Sequence, residues 1–236
     1  MRRLAHALYP GQVMEPEKTL TSDRLKTPRA AAVAGIVFSV LFIISLVLIR
    51  TTVPADLRDA GTWVARDLKS VAFAIYLLPF AGIAFLWFIG VLRDRMGAQE
   101  DRFFATVFMG SGILFLAMLF VAGAIAAGVI MEFRTLPDKL VESGIYAFGR
   151  AAIYQLVNVY ALKMAAVFMI STSTVAIRIR MFPRWMAWLG FALALLLLLS
   201  TGYIFFWAPL VFPLWVLLVS VNILLSNLKS DPASGS

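Results

Sequence analysis

Apolar and polar residues follow one another along this chain in long blocks, not at the spacing of a half-buried helix or strand. The first clean block is 30–49, which contains no charged residue. A helix that crosses a bilayer needs about 20 predominantly apolar residues. Blocks at 70–92 and 103–131 follow, the second long enough to tilt or to project beyond the hydrocarbon. A fourth block covers 147–177. From Trp185 to Leu225 the sequence is nearly all apolar and too long for one helix. Its aromatic stretch TGYIFFWAP, which includes Pro209, suits a turn at the membrane interface and divides it into spans at 185–203 and 209–225. The pattern predicts an all-α fold, a polytopic transmembrane helix bundle of six spans over residues 30–226. A polar tail, 1–29, precedes it and a flexible tail, 227–236, follows.

The polar segments set the orientation. Arg2, Arg3, Lys18, Arg24, Lys26 and Arg29 precede the first span; Arg93, Arg95 and Arg102 follow the second; Arg178, Arg180 and Arg184 follow the fourth; Lys229 follows the sixth. With six spans all of these share one side, and they outnumber Arg50, Arg58, Arg66, Lys69, Arg134 and Lys139 on the other. Cations concentrate in cytoplasmic loops, so both termini are expected in the cytoplasm. In the first outer loop, Val53, Leu57, Ala60, Val64 and Leu68 recur at helical spacing with charges between them. Residues 54–68 therefore read as an amphipathic helix lying on the membrane surface. Leu136, Leu140, Val141 and Ile145 make a shorter version in the third loop. The polar stretch before the first span is too long for a signal peptide, and that span is read as a retained anchor.

Composition then narrows function. Apolar residues make up 61% of the chain, charged residues 14%, and the mean hydropathy is +0.89. The net charge of +8 invites a nucleic-acid reading. The cations, however, lie in short loops beside the spans, so the expected partners are membrane lipids and no nucleic acid. There is no cysteine, and the one histidine, His6, lies in the polar tail. No acidic residue falls within an apolar block. Bis-histidine haem, di-metal carboxylate sites and acid–base pairs therefore have no residues in the spans. The expectation is a non-catalytic protein without cofactor or metal.

Chemistry concentrates in the fourth span. Lys163 stands near its centre, and an ionisable group at that depth is by default a functional site in search of a partner. At 100° per residue, Arg150, Tyr154 and Asn158 share one stripe, with Gln155 about 60° beyond Asn158. Lys163 is about 80° further round, and Tyr160 lies to its other side. From Arg150 to Lys163 the rise is about 20 Å. A water-lined vestibule entering from the outer surface would need such a series, and Lys163, Asn158, Gln155, Tyr154, Arg150 and Tyr160 form the candidate ligand-binding set. Three fates are open to Lys163. Its ammonium holds an anion or an anionic headgroup; or it pairs with an acid on another subunit; or it bends away, or loses its proton and bonds a tyrosine or a backbone carbonyl. Arg150, at the outer mouth, suits lipid phosphate, or Glu132 or Glu142 of the adjacent loop.

Other features carry less chemistry. The hydroxyls of Ser171, Thr172, Ser173 and Thr174 are expected to bond carbonyls one turn back. Pro79 should kink the second span, with Gly82 adding room. In the third span, Ala124 and Gly128, and Ala122 and Ala126, have the four-residue spacing of close helix packing.

At Met181–Gly190, MFPRWMAWLG, the chain resembles uncharacterised bacterial multi-pass inner-membrane proteins, in which a short basic loop with Pro-Arg-Trp leads into a late helix. Trp87–Gly112 is similar in character to inner-membrane proteins of actinobacterial type. The resemblance implies a bacterial inner membrane and six helices, and it implies no activity. Physically, Pro183 is expected to end the preceding helix, with Trp185 at headgroup level. Two functions fit. One is binding or transport of an anionic or amphipathic ligand through an outward-facing vestibule ending at Lys163. The other is an accessory subunit, with Lys163 meeting a partner helix or a second copy of the chain.

Overall fold

A computed structural model describes residues 27–54, 62–96, 102–135, 144–200 and 206–229. Among these residues every regular element is helical. Helix α1 is Thr27–Thr52, α2 Thr62–Met96 and α3 Arg102–Thr135. A fourth continuous helix, Ile145–Ile179, consists of α4 (Ile145–Gln155), a π-helical segment (Leu156–Ala161) and α5 (Leu162–Ile179). Then come α6 (Arg184–Leu199), a 3-10 turn (Ala208–Leu210) and α7 (Val211–Lys229). Five stretches are long and apolar enough to cross a membrane: Ala30–Thr52, Asp67–Arg93, Phe103–Thr135, Ile145–Ile179 and Ala208–Ser226. The chain is accordingly read as membrane-embedded. Helix α6 is as apolar but has only 16 residues, about 24 Å of rise.

The helices close into a ring. Helix α1 packs between α2 and α7, α3 joins α2 to α5, and α6 joins α5 back to α7. Aromatic rings fill the centre. Phe85 of α2 lies 4.6 Å from Phe38, 5.5 Å from Phe115, 5.3 Å from Phe168 and 5.6 Å from Phe212, centroid to centroid, which brings together five helices. Edge-to-face pairs such as Phe115–Phe212 align ring edges with ring faces, the geometry the aromatic quadrupole favours. Close approach elsewhere depends on small residues. A Cβ on Gly35 of α1 would lie 2.0 Å from the Ser220 hydroxyl of α7, and one on Gly190 of α6 would lie 2.2 Å from that of Ser173. The Ser45 hydroxyl donates to the Ala74 carbonyl at 2.7 Å and sets the register of α1 against α2.

Several sequence expectations change in detail. Helix α2 runs through Pro79 without interruption and begins at Thr62, so residues 62–68 of the surface helix expected at 54–68 are its first turns. Residues 55–61 of that segment, both tails apart from 27–29 and 227–229, and most of the third loop lie outside the described residues. The span expected at 185–203 stops at Leu199, and the next resumes at Ala208. The fourth helix ends because Arg180 adopts the left-handed conformation, φ 52°, and Met181 donates back to the Ala176 carbonyl. Pro183 comes three residues later and serves as the N-cap of α6. In α3, Ala122 is buried, but Ala124 and Gly128 face outward, and a Cβ on Gly128 would meet nothing within 4 Å. That four-residue spacing therefore does not mark a close contact within the chain.

Candidate functional site

The end of α6 explains Lys163. The last carbonyls of any helix lack intrahelical partners, and the helix dipole places partial negative charge on them. The Lys163 Nζ donates to the carbonyls of Leu197 at 2.9 Å, Leu198 at 2.5 Å and Ser200 at 2.8 Å. Those three acceptors match the three N–H groups of an ammonium; a neutral amine has only two N–H to offer. Lys163 is half-buried, and its alkyl stem packs along the bundle while its charge caps the neighbouring helix. The group that meets it is backbone, which is the carbonyl branch of the third fate, reached with the amine charged.

Asn158 is buried, 4% exposed, and lies in the π segment. Such a segment shifts the backbone ladder to i→i+5 bonding. Its Nδ2 donates to the Tyr154 carbonyl at 3.0 Å, an i−4 bond supplied by a side chain. Its Oδ1 accepts a hydrogen bond of 2.6 Å from Nη2 of Arg50, in the last turn of α1. The Arg50 guanidinium also lies over the Phe206 ring, 4.3 Å from its centroid, and Tyr154 is within its electrostatic reach. About two turns closer to the start of the fourth helix, Arg150 donates to the Pro54 carbonyl at 2.6 Å and to the Tyr146 hydroxyl at 3.4 Å. The predicted stripe Arg150–Tyr154–Asn158 thus exists as one face of the fourth helix, engaged with the C-terminal end of α1.

The candidate set therefore divides. Arg150, Tyr154 and Asn158 come together with Arg50, while Lys163 serves α6. Gln155 is exposed and Tyr160 is 58% exposed, on the outer face of the bundle. Arg50, missed in the sequence, directly follows the apolar block and looks like a loop cation. Its one sequence signal is that it continues the helical register of α1. Two breaks in regularity meet here: the π segment packs against the 3-10 turn that opens α7. Lys163 holds the start of the α6–α7 connection at Ser200, and Arg50 covers its end at Phe206.

Three of the four clustered hydroxyls behave as expected. Ser171, Thr172 and Thr174 each donate to the carbonyl four residues back, at 2.9, 2.7 and 2.8 Å. Ser173 instead points at Gly190, and among the described residues its hydroxyl has no partner.

No family model, curated protein or solved structure matches the chain.

Proposed function

We propose that the chain is a six-span, non-catalytic protein of a bacterial cytoplasmic (inner) membrane, with both termini cytoplasmic. In this reading its outer polar layer binds an anionic or amphipathic ligand for transport across that membrane. The observation that carries the reading is the layer of Arg50, Asn158 and Phe206, set where a π segment faces an interrupted pair of helices. Discontinuous helices and π segments recur at transporter and other functional sites because they leave backbone and polar side chains free to face a ligand. Each guanidinium has five N–H groups. The described bonds use one N–H of Arg50 and two of Arg150, so both retain capacity for a carboxylate or phosphate. Lys163 is assigned to the frame: its ammonium holds the end of α6 open beside the layer. Helix α6 supplies the fifth crossing and α7 the sixth.

The accessory-subunit alternative gave Lys163 an acid on a partner helix. Three carbonyls already supply its acceptors, so that alternative has less to explain. Trp207 adjoins Phe206 at 5.5 Å and provides a local reporter. Dodecyl phosphate added to the reconstituted protein should change tryptophan emission saturably, and Arg50→Gln should weaken that response by about tenfold, the scale of one lost charge-assisted bond. A response that is absent, or unaltered in Arg50→Gln, would remove the basis for the ligand reading.

A further inference from the structure

A groove separate from this layer runs between α2 and α3 at the same outer end. It has a volume of about 460 Å³ and is lined by Ala72 and Ile75 of α2 and by Ala127, Ile130, Met131 and Arg134 of α3. Small side chains open it: Ala72 lines it from α2 and Ala127 from α3, and Gly128 has open space where a Cβ would stand. Its floor is aliphatic and its outer end is a guanidinium.

Register gives the depth. A Cβ on Gly82 would touch Phe120 and one on Gly123 would touch Leu78, so α2 and α3 are antiparallel with Arg134 level with Asp67 and Leu68. The Ser45–Ala74 bond then aligns Ala72 and Ile75 with the last apolar turns of α1, and Arg134 with Thr51 and Thr52 at its end. The apolar part of the groove therefore lies within the hydrocarbon zone, and the cation lies at its edge. This alignment holds whichever side of the membrane that end faces. Arg134 and Lys69 are both exposed, and Lys69 is about 60° round α2 from Ala72 and one turn nearer the edge. On their own helices, Asp67 is two residues from Lys69 and Glu132 two residues from Arg134, each about 160° away round the helix. Among the described residues Arg134 makes no ion pair.

We propose that this groove is a phospholipid site, with the upper part of one acyl chain between Ala72, Ile75, Ala127 and Ile130, and an anionic phosphate headgroup on Arg134, supported by Lys69. Charge decides the occupant. An uncharged chain would gain only apolar contact, whereas a phosphate diester at the level of two exposed cations accepts charge-assisted hydrogen bonds while its chain fills the groove. The length fits: Ala127 to Arg134 rises about 10 Å, the distance from a headgroup to the first eight or so carbons of a chain. The inference rests on the membrane reading but on none of the residues of the Arg50 layer.

The test is lipid retention by the full-length protein in mild detergent, delipidated and then offered phosphatidylglycerol or phosphatidylcholine with the same chains, and read by native mass spectrometry. The wild type should retain one phosphatidylglycerol about tenfold better than phosphatidylcholine. Arg134→Gln should abolish that preference, and Lys69→Gln should reduce it. Ala127→Phe, which fills the groove without altering charge, should lower retention of both lipids. Retention of phosphatidylglycerol unchanged in Arg134→Gln or in Ala127→Phe overturns the proposal. So does loss of the lipid in Arg50→Gln, which assigns it to the polar layer, or its displacement by excess glycerol phosphate, which assigns the site to a soluble anion. All the substituted groove positions are exposed, and thermal unfolding reports whether each variant keeps the fold.

Discussion

At the residue scale, one lysine holds a helix end that hydrocarbon cannot solvate. Unpaired carbonyls away from water cost free energy, and here an ammonium serves three at once. Replacing Lys163 with Met keeps the stem and deletes the donors. Thermal unfolding in detergent should show a loss of about 2–3 kcal/mol, the scale of hydrogen bonds to a charged group, moderated because the side chain is only half-buried. Lys163→Arg should recover part of it. Equal stability of Lys163→Met and the wild type would contradict the capping role. The lysine was legible in the sequence as an oddity needing a partner. Its partner was not, because a backbone carbonyl has no residue type, and nothing in LLLLLST marks where α6 stops. Arg50 was hidden differently: at the end of an apolar block, a cation that reaches inward and one that faces headgroups look the same.

At the element scale, hydropathy located the helices and missed their interruptions. Blocks at 30–49, 70–92, 103–131 and 147–177 all fall inside helices, whereas the ends moved wherever polar residues continue a helix beyond hydrocarbon length. Helix α2 has 35 residues and α3 has 34, each about 50 Å, so both extend well past the roughly 30 Å core of a bilayer. Near the C-terminal end of α1 they meet α4 in a small cluster of Tyr146 with Leu68, Val129 and Phe133. The π segment at Leu156–Ala161 has no compositional mark, since LVNVYA differs little from its surroundings. Glycines show the same limit. Gly35 and Gly90 look alike in the sequence, yet a Cβ on Gly35 would collide with Ser220 and Phe88, and one on Gly90 would meet nothing within 4 Å. Gly35→Ala should therefore destabilise the bundle by about 1–3 kcal/mol through overpacking. Gly90→Ala should leave stability unchanged or raise it by up to about 1 kcal/mol, from helix propensity alone. Chemical denaturation of the pair in one detergent checks both, and equal behaviour would mean that the α1–α7 contact is not the one described.

At the scale of the whole molecule, the closed ring and the charge pattern should agree on one topology. Neighbours in the ring are α2–α1–α7–α6–α5–α3, so consecutive spans are neighbours in space and can be antiparallel, joined by short connections. Along this order Arg50, Arg134 and Arg150 fall at one end of the bundle, and Arg93, Arg178 and Arg184 at the other. Three of these cations are engaged within the protein: Arg50 with Asn158, Arg150 with Pro54, and Arg178 over the Phe104 ring at 4.7 Å. An internally engaged cation counts less toward orientation than one free to meet headgroups. Removing Arg50 from the outer tally strengthens the bias toward cytoplasmic termini, and removing Arg178 weakens it by the same amount. The basic N-terminal segment then decides. Because the chain has no cysteine, a single introduced thiol reports its own side without background. Thr135→Cys, exposed at the end of α3, should react with a membrane-impermeant maleimide on intact cells; Ser234→Cys, in the C-terminal tail, should react only after permeabilisation. Labelling of both from outside would mean an odd number of crossings, with the 16-residue α6 failing to span. The reverse pattern would place the Arg50 layer and the α2–α3 groove on the cytoplasmic face. The groove would keep its phospholipid chemistry there, but the outward vestibule would not survive.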